Sequence, residues 1–296
     1  QVLEHAYVAV EGTKIASVGT EPPEGTFDRV VDGAGKVLLP GFVNAHTHLP
    51  MTLMRGYGGG CDLHTWLNQY IFPAEARLDS RAVAAGAGLG LAEMIASGVT
   101  CVADMYMHTG TIAEQILEAG ISANLSCGGV YFGAPEDFSP ETCGDCRNQA
   151  ALTEEWHGAG AGQILVDASV HGEYTSNPPL WRWMAEYAAE HRLGMHVHVS
   201  ETQSEHQASL ERWGKTPIQA LDGCGVWDCV YTTEEDWALM AEKGISCVHN
   251  PWSNLKLGSG VAPIPAMMRA GVNVALGTDG MSSHNSADLF SDIKLA

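Results

Sequence analysis

Pro40-Gly41-Phe42-Val43-Asn44-Ala45-His46-Thr47-His48 leads an apolar approach into two histidines spaced i, i+2. On a β-strand that spacing sends both imidazoles to one face, ~7 Å apart along the chain. Two neutral ring nitrogens converging from one strand end are what a catalytic divalent ion requires. His-x-His alone is also common in half-buried strands, so the rest of the chain decides its meaning.

Two more segments complete a donor set. Gly194-Met195-His196-Val197-His198-Val199-Ser200-Glu201 is an apolar strand ending in histidine, with a carboxylate three residues beyond. Ala275-Leu276-Gly277-Thr278-Asp279-Gly280 is another, stopped by an aspartate at a glycine-flanked turn. Aspartate is disfavoured in a buried strand unless it is paired or bound to a cation. His46, His48, His198 and Asp279 therefore form a candidate metal-ligand set, and Glu201 is left as a proton carrier. The pattern points to a metal-dependent hydrolase.

Outward from these segments the chain alternates short apolar strands with helical stretches. Strands are expected at Val37–Asn44, Thr100–Met105, Ile121–Cys127, Ile164–His171, Met195–Val199, Ile245–His249 and Asn273–Gly277. Arg81–Ser97 and Pro179–His191 are among the helices between them. Such alternation implies a parallel sheet, and a (β/α)8 TIM-like barrel with its chemistry at the strands' carboxyl ends is the favoured closure. Before it, Ala6–Val10, Lys14–Val18 and Arg29–Asp32 read as the short strands of a small β-sandwich layer. The expected domains are thus residues 1–39, a partial β-sandwich, and 40–296, the catalytic barrel.

Composition fits this reading. The 296 residues are 45% hydrophobic, enough for one large core. A net charge of −20 argues against nucleic acid or an anionic membrane as partner. No apolar run approaches the ~20 residues that span a bilayer. A small-molecule substrate is expected, and a homo-oligomer is left open. Several of the eight cysteines lie in apolar strands, which reads as reduced thiols in the cytoplasm. Cys143-Gly144-Asp145-Cys146 is a C-x-x-C in a polar loop without a second pair, and receives no redox or zinc role.

The chain resembles the amidohydrolase superfamily, and within it the branch of 5-methylthioadenosine/S-adenosylhomocysteine deaminases, guanine deaminases and triazine hydrolases. The resemblance rests on PGFVNAHTHLPMTLMRG (40–56), WLNQYIFPAEARL (66–78), AEMIASGVTCVADMY (92–106), HVHVSET (196–202), SCVHNPWSNLKLGSGVAPIP (246–265) and VNVALGTDG (272–280). It implies hydrolytic deamination of an adenosine derivative, with one zinc ion per chain and Fe2+ as the alternative ion. Asp279 would take the water's proton, and Glu201 would hand a proton to the ring nitrogen. It further implies substrate contacts from Glu75 to ribose hydroxyls, from His171, from Trp66 as a wall, and from Arg147. The alternatives are another aminated heterocycle, such as guanine or a triazine, or a degenerate metal-binding protein without turnover.

Two departures from the family pattern stand out. The family carries another histidine at the end of the sixth strand, where this chain has Val226-Trp227-Asp228. Either Asp228 replaces that histidine or, as preferred, the strand itself is lost with it. The chain also begins at Gln1 and stops inside the helix after the eighth strand, which reads as a fragment or truncated chain. An incomplete β layer would then predict weak activity and poor solubility.

Overall fold

The computed structural model describes residues 2–222, 226–228 and 230–296, with the backbone alone at 226–228. The chain divides into two compact units, Gln1–Pro40 and Gly41–Ala296.

The first unit holds a two-stranded antiparallel hairpin, β1 (Tyr7–Glu11) and β2 (Lys14–Gly19). Glu11 faces Lys14 across a two-residue turn whose Gly12 sits at φ 59°, the left-handed region that glycine reaches without strain. Arg29–Asp32, expected as a third strand, carries no strand; Val30 and Val31 are exposed there and have no sheet face to bury.

In the second unit ten strand segments form two five-stranded sheets, β12-β3-β4-β5-β6 and β11-β10-β9-β8-β7. The strands are β3 (Phe42–His48), β4 (Val99–Met105), β5 (Ser122–Ser126), β6 (Ile164–Val166), β7 (Ala168–Gly172) and β8 (Met195–His198). They continue with β9 (Val226–Asp228), β10 (Ser246–His249), β11 (Asn273–Leu276) and β12 (Asp279–Gly280). All their pairings are parallel. β6 and β7 are one run interrupted at Asp167, and β11 and β12 one run interrupted at Gly277-Thr278. Joined through those two interruptions, the sheets close into a ring of eight parallel strands, a TIM-barrel-like α/β fold.

Two expectations change here. The first barrel strand begins at Phe42 rather than Val37 and runs through both histidines. The sixth strand is not lost: β9 lies between β8 and β10, with Asp228 in register with His198. It is only three residues long, too short to leave an apolar run in the sequence.

Helices cover the ring. Ser80–Ala96 is started by Asp79, whose carboxylate accepts from Ala82 N–H. Its Gly86 lies against the 3-10 turn Leu49–Met54 that follows His48, and a Cβ there would come within 2.6 Å of the Pro50 carbonyl oxygen. The missing side chain lets the helix seat the end of the first barrel strand. The core on this side is Leu49, Leu91, Met94, Ile112, Ile116 and Leu125, all essentially buried. Val170, Leu180, Met184, Val197 and Ile218 fill the other side. Among the described residues no helix is long and apolar enough to cross a membrane.

Candidate active site

The carboxyl ends of four barrel strands deliver the site. Asn44, buried in β3, donates to Thr278 Oγ1 at 2.8 Å and accepts from Thr278 N–H at 3.0 Å. This side-chain pair locks the first strand to the eighth, setting His46 and His48 against Asp279. Gly277 is needed for the same approach, because a Cβ on it would lie 2.9 Å from the backbone nitrogen of His46 and overlap Asn250. Asp279 itself holds φ 60°, a strained value for a residue with a side chain.

The four candidate ligands meet. His46 Nε2 is 3.3 Å from His198 Nε2, and Asp279 Oδ1 is 3.5 Å from His46 Nε2 and 3.2 Å from His48 Nε2. Bonds of about 2.0–2.1 Å in a tetrahedral site separate ligand atoms by about 3.3–3.4 Å, so the spacing suits one ion. The three histidines form the only group of three or more His, Cys, Asp or Glu side chains, among the described residues, gathered closely enough to hold a metal.

The far side of each ring also fits. His48 Nδ1–H donates to the Met105 carbonyl at 2.5 Å, and His198 Nδ1–H to the His171 carbonyl at 2.6 Å. His46 Nδ1 lies 2.9 Å from Nε2 of the buried His196. Each contact occupies Nδ1 and leaves Nε2 facing the centre, the arrangement by which metal-binding histidines are oriented. On Asp279, Ser253 Oγ and Ser283 Oγ donate to Oδ2 at 2.6 and 2.7 Å, so Oδ1 is the oxygen turned to the histidines.

Electrostatics mark the same point as one that asks for positive charge. Burial drives the His46 and His198 imidazoles below their usual range, favouring the neutral form a metal needs. Burial acts the same way on His48, but the neighbouring Asp279 outweighs it and pushes His48 up to about 9. Asp279 resists its burial and is held well below the carboxylate range by His46 and His48.

A cavity of about 640 Å³ opens above these groups, a size typical of small-molecule sites. Glu201 and His198 line it at the metal end, and Glu75, Trp66 and His171 line its walls. Trp66 donates its indole N–H to the Tyr57 carbonyl at 3.3 Å, which leaves the ring as an apolar wall. Burial lowers His171 to about 4, so it stands neutral. Burial raises Glu75, while the neighbouring Tyr106 hydroxyl and His48 work the other way. Arg147 is the candidate that the structure leaves outside: it is exposed and donates to the Glu141 carbonyl at 2.7 Å. Its place on an exposed turn of the helix Gly144–Trp156 turns it to solvent.

Three groups not singled out from the sequence shape the site. His196 backs His46. The Tyr106 hydroxyl is buried beside the cavity, next to Glu75. Glu205 is the third: its two oxygens accept from the Ser200 and Glu201 N–H groups at 2.7 and 2.8 Å. Ser200 holds φ 55°, and this double acceptor fixes the strained turn that presents Glu201. Thr202-x-x-Glu205 is a helix-start pattern that the sequence did offer: Thr202 Oγ1 accepts from Glu205 N–H at 3.1 Å.

Glu205→Gln keeps the shape but turns one acceptor into a donor facing a backbone N–H. The expected result is an activity loss of about 10- to 100-fold at pH 8 with an unchanged circular dichroism spectrum. Burial pushes Glu205 up to about 7. Its folded pKa is raised, so its contribution to stability is fully present below the unfolded value and fades as pH rises through about 7. The ionised double acceptor, by contrast, is lost as pH falls below about 7. The ratio of native to Glu205→Gln activity should therefore shrink between pH 8 and pH 6; a constant ratio would contradict the role.

Four converging metal-type donors at the carboxyl ends of a parallel barrel, with a carboxylate on the cavity wall above them, define a metal-dependent hydrolase architecture. The match to the amidohydrolase family covers residues 37–296, and the chain belongs to that family. It is 40% identical over 303 residues to a 5-methylthioadenosine/S-adenosylhomocysteine deaminase of Caldanaerobacter subterraneus subsp. tengcongensis, covering 100% of this chain and 69% of that protein. It is also 40% identical over 296 residues to a 5′-deoxyadenosine deaminase of Methanothermobacter thermautotrophicus, covering 98% and 68%. Among solved structures, an adenosine deaminase from Xanthomonas campestris with bound zinc is 34% identical with a TM-score of 0.78. That match covers 85% of this chain and 58% of the other. The zinc complex of atrazine chlorohydrolase from Arthrobacter aurescens has a TM-score of 0.90 at 23% identity, over 99% and 71%, and shares the fold.

Proposed function

We propose that this chain is a zinc-dependent hydrolytic deaminase of adenosine derivatives, replacing the 6-amino group with oxygen and releasing ammonia. The observation that carries the reading is the cluster of His46, His48 and His198, with Asp279 against His46 and His48, beneath a cavity of about 640 Å³. The adenosine-type substrate rests on the relatives' activities and on a carboxylate, Glu75, set in the cavity wall. Three imidazoles and one carboxylate suit zinc, with Fe2+ the next candidate. The barrel is the catalytic unit in this reading, and the N-terminal hairpin belongs to an accessory β layer. The buried thiols of Cys143 and Cys146 support a reducing, cytoplasmic setting.

A bound divalent ion would supply a water of lowered pKa as the nucleophile. The chain's own residues do the rest. Asp279 Oδ1 takes the water's proton, because Oδ2 is held by the two serines. Glu201, fixed through its own backbone by Glu205, gives a proton to the purine ring nitrogen and then assists the leaving amine. Glu75 accepts hydrogen bonds from ribose hydroxyls, and Trp66 walls off the nucleoside. Neutral His171 stands beside His198 and contacts the substrate.

Metal analysis of the purified protein, paired with loss of adenine absorbance on adenosine, 5′-methylthioadenosine and 5′-deoxyadenosine, tests this. About one zinc per chain with turnover is expected. Bound metal without turnover on any aminopurine would instead favour a degenerate metal-binding protein.

A further inference from the structure

Four carboxylates line the cavity, and histidine is the one basic side-chain type among its described lining residues. Glu75, Asp145, Glu201 and Asp279 line it, and among the described residues lining it there is no lysine or arginine. The residues outside the description contain neither type. Away from the ligand end the walls are apolar, formed by Phe72, Met107, Val130 and Phe132. Asp145 has one oxygen committed to Val130 N–H at 2.8 Å. The nearest guanidinium along that helix, Arg147, is exposed and bound to the Glu141 carbonyl.

We propose that this cavity selects nucleosides whose 5′ substituent is neutral and apolar, and discriminates against those carrying a carboxylate there. The proposal rests on the deaminase reading above and narrows its substrate class. A carboxylate brought against these apolar walls loses hydration and meets no lysine or arginine in return. Asp145, on the cavity lining, adds repulsion. An alkylthio or deoxy 5′ group meets Phe72, Met107 and Val130 without that penalty.

The test compares kcat/KM for three nucleosides on the metal-loaded protein. 5′-Methylthioadenosine sets the scale, 5′-butylthioadenosine supplies a long neutral chain, and S-adenosylhomocysteine has similar length but is zwitterionic. The two neutral compounds should agree within about threefold, with S-adenosylhomocysteine lower by about a hundredfold. Discrimination below about tenfold between S-adenosylhomocysteine and the butylthio compound overturns the proposal. Phe132→Arg supplies the absent cation at a position that is 77% exposed, where the fold is not at stake. It should raise the ratio of S-adenosylhomocysteine to butylthio turnover about tenfold, as a charge-assisted contact would. A ratio that Phe132→Arg leaves unmoved would mean exclusion by shape and sink the charge argument. Failure of all three nucleosides to react would remove the deaminase reading itself, an outcome distinct from equal turnover.

Discussion

Glu201→Gln is expected to lower kcat by about a thousandfold, within the range of general acid–base catalysis, while leaving the metal content unchanged. The separation of those two effects follows from geometry. Glu201 lies three residues beyond His198, on the cavity wall, and is not one of the clustered ligand atoms. Its backbone N–H is anchored by Glu205, so glutamine at 201 keeps the same turn and the same volume. What disappears is the ability to exchange a proton with the substrate ring and the departing amine. KM should change only modestly, because the ribose contacts assigned to Glu75 lie elsewhere on the wall. Single-turnover kinetics with zinc quantified in the same sample would check this. A variant that loses metal in proportion to activity would reassign Glu201 from proton carrier to ligand support.

The candidate ligands stand out in the sequence because each is a residue type that a buried strand rejects unless it has work there. His46, His48, His198 and Asp279 interrupt apolar runs, and that interruption is a strong signal. The closure of the barrel was readable from the strand–helix rhythm. What escaped notice has equally physical reasons. His196 repeats the i, i+2 spacing of His46 and His48, but spacing does not reveal that it backs His46 rather than facing the centre. Glu205 sits in a helix, where a glutamate is unremarkable until the fold turns it back onto the strand end. Arg147 shows the reverse: a position matched by resemblance says nothing of which way a helix surface points. β9 was lost to sight because Val226-Trp227-Asp228 is three residues, and its pairing partners are distant in sequence.

Asp279→Asn is expected to abolish activity together with tight metal binding, a loss of at least about a thousandfold in kcat/KM. Asparagine is the same size, and its oxygen could still accept from Ser253 and Ser283. It lacks the negative charge that raises His48 and that answers a dication among neutral imidazoles. It also cannot take a proton from water. Two roles thus fall to one residue, and they separate experimentally. Stripping zinc from the native protein with a chelator should remove activity, and returning about one equivalent should restore it. The Asp279→Asn variant, incubated with excess zinc until occupancy is regained, should remain inactive. Recovery of turnover on metal saturation would show that Asp279 serves only as a ligand, and would move the proton-accepting step to another group in the cavity.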